Sequence, residues 1–342
     1  MSAVPKDPDF RRLSDRFGLY HLGTEDLGSS FEDEVRAGLS SNPKALPPRY
    51  LYDTLGSILF DAICELPEYY LTRAEAAILG QHSKNILSPV APPIRIVELG
   101  SGSSTKTRAL LEAALHQQNT LEYLPVDVSD SALRESSRAL LNLFPDLTIH
   151  GFVADYFRAL DWLAAPEHAC PGVRTVILFL GSTIGNLNPE ERRELLTHAR
   201  AVLQPGDAFL LGADLKKDET TLLAAYNDTL GVTASFNKNV LVHLNRALEA
   251  NFDPSLFAHR PRYDSELGRV EMHLESLRDQ QVTLGALDLT VSFHQGETIH
   301  TESSHKFDRQ LLEGLAKDTG FTLHQQWLDP DERFSENLFI AC

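Results

Sequence analysis

The chain has 342 residues, enough for one large domain or two modest ones, and its 48 acidic residues against 31 basic ones give a formal net charge of −17. A surface of that sign repels polyanions, so nucleic acid is not an expected partner. The opening "MSAVPKDPDFRRLSDRFGLY" carries no charged, apolar, small-residue leader pattern, and no run approaches the ~20 apolar residues of a membrane span; the expectation is a soluble, cytoplasmic protein.

In chain order, the first 75 residues show helical patterning around "YLYDTLGSILFDAICEL", punctuated by Pro47, Pro48 and Pro67 and followed by "PEYYLTRAE". Short β-rich runs then alternate with helical ones: "IRIVELG" (94–100), "LEYLPVDVS" (121–129), "LTIHGFVAD" (147–155), "VRTVILFLG" (173–181) and "DAFLLGAD" (207–214). That rhythm predicts a parallel sheet with crossover helices. "STKTRALLEAALHQ" and "PEERRELLTHARAVLQPG" are two of the helices; the second opens at Pro189 and Glu190 and closes at Pro205 and Gly206. After residue 214 the rhythm breaks. Helical "DETTLLAAYNDTL" and "NVLVHLNRALEANF" precede "RVEMHLESL" and "VTLGALDLTVSF", where Leu287, Leu289, Val291 and Phe293 alternate as in an antiparallel sheet. "KFDRQLLEGLAKDTG" and the strands "FTLHQQWL" and "ENLFIAC" return to the first domain. The expected fold class is α/β, with a Rossmann-like sheet domain over 76–215 and 307–342 and a second, smaller α+β domain over 15–75 and 216–306.

Cys64, Cys170 and Cys342 are odd in number and widely separated, which argues against a disulfide framework, a zinc knuckle or a redox pair. The thirteen histidines show no H-E-x-x-H or similar ligand spacing, so no metal is expected.

The most informative loop is "VELGSGSSTKT", which follows the first sheet strand and opens a helix, where glycines bring backbone amides to a ligand. It lacks the third glycine of G-x-G-x-x-G, since Thr105 stands there, and it is not a P-loop. Asp127 ends the next strand, where an acid can accept from both ribose hydroxyls. Asp155 ends the third, where it can take an adenine amino group while Tyr156 covers the ring. With no further phosphate-binding residues, the pattern favours a nucleoside without pyrophosphate, S-adenosylmethionine being the obvious candidate.

At this point the chain resembles the histidine-specific, S-adenosylmethionine-dependent methyltransferases of ergothioneine biosynthesis, the L-histidine Nα-methyltransferases. The likeness runs from "LPPRYLYDTLGSILFDAICELPEYYLTRAEAAIL" through "VELGSGSSTKTRALL", "FLGSTIGN" and "AAYNDTLGVTASFNKNVLVHLNR" to "VEMHLES" and "TESSHKF". It implies a class I methyltransferase domain that binds the cofactor, with Gly100, Lys106, Asp127, Asp155 and Tyr156 in contact with it. The second domain would hold the amino acid, with Tyr52, Tyr69, Asn186, Tyr226, Met272, Glu302 and Ser304 lining the substrate pocket and Tyr52 and Asn186 nearest the reacting amine. The implied activity is Nα-trimethylation of L-histidine to hercynine by a monomer whose ligands are histidine and its mono- and dimethyl forms. Ser303, between Glu302 and Ser304, departs from the apolar residue expected there.

Methyl transfer from a sulfonium is an in-line displacement, so the protein mainly has to hold an uncharged amine lone pair about 3 Å from the methyl carbon. The Asn186 amide can donate to the substrate carboxylate and accept from the amine, although on spacing alone Asn186 serves equally as a helix cap before "NPEER". Tyr226 can donate to the carboxylate, Tyr69 can hydrogen-bond the ring, and Met272 can pack on its face. Glu302 can accept an imidazole N–H and Ser304 can serve the same edge, which selects histidine over apolar analogues that would strand a buried acid; unaided, the same glutamate reads as a solvated acid at a helix start. No side chain stands out as a general base; for an amine whose pKa is near 8, a bound water chain or deprotonation from solution is the expectation, with no dedicated base. The nearest rival reading is an Nα-methyltransferase for an indole amino acid. A nicotinamide-dependent oxidoreductase lacks the third glycine, and a silent nucleoside-sensing protein is separable by assaying methyl transfer.

Overall fold

The structure is a computed structural model, and it describes residues 9–23 and 30–342. Two compact units divide the chain. The first comprises Met1–Glu25, Arg73–Leu215 and Phe307–Cys342, and the second Asp26–Thr72 and Lys216–Lys306.

Among the described residues the first unit is built on a nine-stranded sheet. Its strands run, side by side, Asp9–Ser14, Phe17–His21, Leu147–Val153, Leu121–Asp127, Ile94–Leu99, Arg174–Phe179, Ala208–Asp214, Phe334–Ala341 and Phe321–Leu328. The six from Phe17–His21 to Ala208–Asp214 are parallel, and antiparallel neighbours close both edges. Ile94–Leu99 and Ala208–Asp214 are buried along their whole length, as strands covered on both faces must be. The chain steps outward from Ile94–Leu99 to Leu147–Val153 and then crosses back to Arg174–Phe179. The strand order therefore reverses between Ile94–Leu99 and Arg174–Phe179, and the carboxyl ends at such a switch point form the crevice where open α/β sheets bind ligands.

The N-terminal strand pair corrects the expected boundary. Phe17–His21, expected with the smaller domain, pairs parallel with Leu147–Val153, and Tyr20 stacks on Phe152 at 5.1 Å. A five-residue strand is too short for its period to show in sequence, yet it covers an edge that would otherwise be open to pairing. Residues 1–8 of the opening segment, and 24–29 of the expected 15–75 segment, lie outside the described residues.

The second unit carries a four-stranded sheet ordered Lys44–Ala45, Thr298–His305, Arg269–Ser276, Phe257–Asp264, antiparallel except for the first pair. The helix Val232–Ala247 packs on Thr54–Cys64 through Phe236 and Phe60, whose rings lie 6.0 Å apart. Gln280–Leu284 and Leu289–Phe293 form a separate antiparallel ribbon, so the expected alternation is real from Leu289 on, while Leu287 belongs to the 3-10 turn Gly285–Leu287 that joins the two strands. Among the described residues no helix is long and apolar enough to cross a membrane.

Candidate active site

In the first unit, the loop after Ile94–Leu99 is folded by its own backbone. The amides of Gly100 and Ser101 both donate to the Val126 carbonyl, at 2.9 and 3.1 Å, which ties the turn to the end of the next strand. Asp127 then locks the loop from the same place: Oδ2 accepts from the Gly102 amide at 2.9 Å and Oδ1 from the Ser129 amide at 3.0 Å. Each oxygen keeps a second lone pair, and the carboxylate is only half-buried, so it can still accept from a ligand. Gly100 has φ +71°, and a Cβ there would lie 2.9 Å from the Tyr156 hydroxyl, so the ring can lie over the turn only because this residue is glycine. Burial, with the Asp127 charge nearby, pushes the Tyr156 phenol up. A Cβ at Gly102 would meet nothing within 4 Å, which leaves open room on the ligand side of the loop.

One expected cofactor residue is placed differently from the sequence reading. Strand Leu147–Val153 stops short of Asp155, which instead caps helix Tyr156–Ala164 and accepts from the Arg158 amide at 2.9 Å. Lys106 is ion-paired with Glu75, a fully buried acid on helix Leu71–Leu87. Beneath the loop, Glu98 accepts from the Thr107 hydroxyl at 2.6 Å and from the Tyr123 hydroxyl; burial outweighs these bonds and raises its carboxyl to about 7.

Asn186 closes the 3-10 turn Thr183–Asn186 after strand Arg174–Phe179, at the same carboxyl edge. The cap of the following helix is Asn188, whose Oδ1 accepts from the Glu190 and Glu191 amides at 3.0 and 2.9 Å while the Glu191 side chain accepts from the Asn188 amide at 2.7 Å. That capping box removes one of the two roles the spacing allowed for Asn186.

In the second unit, Glu302 is 5% exposed and lies inside strand Thr298–His305; it is not at a helix start, because the next helix, Arg309–Asp318, is capped by Asp308. A bulge sets its direction. Met272 pairs with Glu302 and His273 with His300, so Thr301 is the extra residue. His300 and Glu302 would share a face in a regular strand; the bulge puts them on opposite faces. Val270, Met272, Glu302 and Ser304 then line one face, while Glu271, His273, His300 and Ser303 line the other. Ser303, the departure noted in sequence, turns to His300, whose Nε2 is 2.9 Å from its Oγ; burial lowers that imidazole to about 4, so it is neutral near pH 7. Thr301 itself is fastened by donating to Asn237 Oδ1 at 2.6 Å and the Met272 carbonyl at 3.0 Å.

Tyr69 and Tyr226 are buried with ring centroids 6.4 Å apart, and the Tyr226 hydroxyl donates to Ser304 Oγ at 2.7 Å. Burial, followed by the neighbouring Tyr226, Cys64, Tyr52 and Glu302, raises the Tyr69 phenol well above its usual value, so it stays a neutral donor. Tyr52 is 37% exposed and packs its ring on Phe60 and Phe236. Sequence reasoning missed Lys306, fully buried, whose Nζ donates to Tyr226 Oη and Ser304 Oγ, both at 2.9 Å. The i, i+2, i+4 spacing of Glu302, Ser304 and Lys306 carried that signal. It also missed Glu75 and Glu336, the latter an acid within the buried strand "FSENLFIA".

A glycine turn at the switch point, with Asp127 ending the neighbouring strand and Asp155 capping the helix two residues past the next one, is the arrangement of a Rossmann-like class I methyltransferase domain. Residues 31–341 match the family described as histidine-specific methyltransferase, SAM-dependent. A histidine N-alpha-methyltransferase of Mycobacterium tuberculosis is 43% identical over 93% of this chain and 97% of its own length, and that of Mycolicibacterium smegmatis is 41% identical over 94% and 98%. The ergothioneine biosynthesis protein 1 of Neurospora crassa is 33% identical over 83% of this chain and 32% of its own length. Among solved structures, the CcbJ methyltransferase of Streptomyces caelestis overlays with a TM-score of 0.43 at 13% identity, covering 77% of this chain and 95% of that one. The chain belongs to the histidine-specific, SAM-dependent methyltransferase family and is an N-methyltransferase that uses S-adenosylmethionine as donor.

Proposed function

We propose that the chain adds three methyl groups in turn to the α-nitrogen of L-histidine, giving hercynine, as the first step of ergothioneine biosynthesis. Two findings on relatives support the pathway: the histidine N-alpha-methyltransferases at 41–43% identity and the ergothioneine biosynthesis proteins 1 of Neurospora crassa and Schizosaccharomyces pombe. The observation that carries the substrate reading is Glu302, an acid turned by a bulge onto a buried face beside Met272 and Ser304. A buried carboxylate can accept an imidazole N–H, which phenylalanine or leucine cannot offer.

S-adenosylmethionine, when bound, supplies an electrophilic methyl group on a sulfonium. Asp127 accepts from the ribose hydroxyls with the lone pairs its amide bonds leave over, Asp155 accepts from the adenine amine, and Tyr156 covers the ring above Gly100. Lys106 offers an ammonium to the cofactor's carboxylate. On the substrate side, Glu302 and Ser304 hold the imidazole, assisted by the neutral Tyr69 hydroxyl, with Met272 against the ring. Tyr226 turns its one O–H from Ser304 Oγ to the substrate carboxylate. Asn186 and Tyr52 orient the amine so that its lone pair, and not a proton, points along the transfer axis.

The test is a mass-spectrometric survey of the free amino acids incubated with protein and S-adenosylmethionine. Histidine alone should gain one, two and three methyl masses, and hercynine should accumulate. Accumulation of a methylated tryptophan in its place would give the site to an indole amino acid, and arrest at one methyl would end the betaine assignment.

A further inference from the structure

Beside the glycine loop of the first unit lies a charge cluster of which the proposed methyl transfer uses only Lys106. Glu75, fully buried, divides its carboxylate between two loops: Oε2 pairs with the Lys106 ammonium, and Oε1 accepts from the Gly181 amide at 2.5 Å. Lys106 belongs to the glycine loop and Gly181 to the turn after Arg174–Phe179, so one carboxylate ties together the two loops that flank the switch point. Glu336, also fully buried, approaches the same carboxylate from strand Phe334–Ala341. Gly212, its partner across the ladder, makes the room: a Cβ there would lie 2.4 Å from Glu75 Oε1 and 3.2 Å from Glu336 Oε1. No N–H or O–H of another described residue reaches either oxygen of Glu336, so two ionised carboxylates would crowd each other here with no donor between them, and a proton on one of the two is what would let them pair.

We propose that Glu336 is a protonated acid donating to Glu75, and that Glu75, held in this way, is the positioning residue that fixes Lys106 and the Gly181 turn for the cofactor. The charge count closes: one carboxylate, one ammonium and one neutral acid leave no net charge in a buried site, whereas two ionised acids against one lysine would leave an uncompensated anion. Burial and the Glu75 charge both push the Glu336 carboxyl well above its usual value, with Lys106 opposing them. The titratable groups facing the pair are Lys106 and, beyond it, Glu98 with Tyr123. This inference rests on the reading that Lys106 faces the cofactor.

Two measurements test it, one of them on the protein without any ligand. At pH 9 Glu98, with its value of about 7, is ionised and silent, so the infrared difference between the wild type and Glu336→Gln should show the carbonyl band of one protonated carboxylic acid; absence of that band overturns the proposal. Calorimetric titration with S-adenosylhomocysteine supplies the second readout. Glu75→Gln should weaken binding about tenfold, and Glu336→Gln, which keeps a donor, should bind about tenfold more tightly than Glu336→Leu, which has none. Equal binding by the two Glu336 variants counts against the proposal even if Glu75→Gln does not fold. Lys106→Met separates the two layers of argument. Unchanged binding by Lys106→Met would remove the lysine from the cofactor site, while tenfold loss there with less than about twofold in Glu75→Gln would defeat the positioning inference alone.

Discussion

The two units place their working carboxylates by opposite means. Asp127 sits at the end of a parallel strand and is aimed by the amides of Gly102 and Ser129, so its position is a property of the backbone around it. Glu302 sits in mid-strand of an antiparallel sheet and is aimed by a one-residue bulge, with its neighbours Tyr69, Tyr226 and Met272 drawn from three separate segments. A site made by backbone tolerates much exchange of side chains, whereas one made by converging side chains depends on each of them. The first suits a ligand common to many enzymes and the second a ligand peculiar to one.

The largest effect should therefore follow from Glu302→Ala. If Glu302 pairs with the substrate ring as proposed, removing it strands one N–H and opens the pocket to apolar amino acids, and kcat/KM for histidine should fall on the order of a thousandfold. Competition between histidine, tryptophan and leucine in one reaction measures the loss of preference directly. If preference survives while the rate falls, Glu302 supports the sheet and does not choose the ligand.

Asp127→Ala should cost about a hundredfold in affinity for S-adenosylmethionine, as expected for the loss of two charge-assisted hydrogen bonds. Part of that loss comes through the loop, since the Gly102 amide loses its acceptor as well. The KM for histidine should stay within about twofold if the division of labour between the units holds. A parallel rise in both constants would break the comparison.

The same contrast explains what could be read from sequence. The parallel sheet was legible because βα alternation and a glycine turn are local patterns, and Asp127 followed from its place at a strand end. Asp155 was found by the same logic, but its strand ends at Val153 and its side chain is also a helix cap, a distinction of two residues that periodicity does not resolve. Glu302 looked like an exposed acid before a helix, because a bulge has no sequence signature and the strand continues through "TESSH". Only the family resemblance drew it into the site. Lys106, too, came only from the family resemblance, and its partner Glu75 lies 31 positions earlier with the acid behind that, Glu336, at the far end of the chain; no local pattern connects them.

Glu98 offers a smaller effect with a defined sign. Its carboxyl is raised by burial to about 7 from an ordinary value of 4.5, so the folded state prefers it protonated. The stability this carboxyl contributes is fully present below about pH 4.5 and is lost as the pH rises through about 7, by about 2–3 kcal/mol. Glu98→Gln cannot titrate. The difference in unfolding free energy between wild type and variant, from urea titrations, should shift by that amount against the wild type between pH 4.5 and 8. A constant difference would mean that the Thr107 and Tyr123 hydroxyls keep the group ionised.

The smallest expected effect separates two asparagines two positions apart. Asn188 caps helix Pro189–Val202 through two backbone amides and has a reciprocal bond from Glu191, so Asn188→Ala should lower stability by about 1 kcal/mol while kcat and both KM values stay within about twofold. Asn186, one turn earlier at the carboxyl edge of the sheet, has no part in that cap. Asn186→Ala should lower kcat more than it raises the KM for histidine, because an amine free to rotate is bound but seldom aimed. The pair is informative because sequence spacing assigned both roles to a single residue. Should Asn188→Ala lose activity and Asn186→Ala lose stability, the geometry of the turn would have been read with the two side chains exchanged.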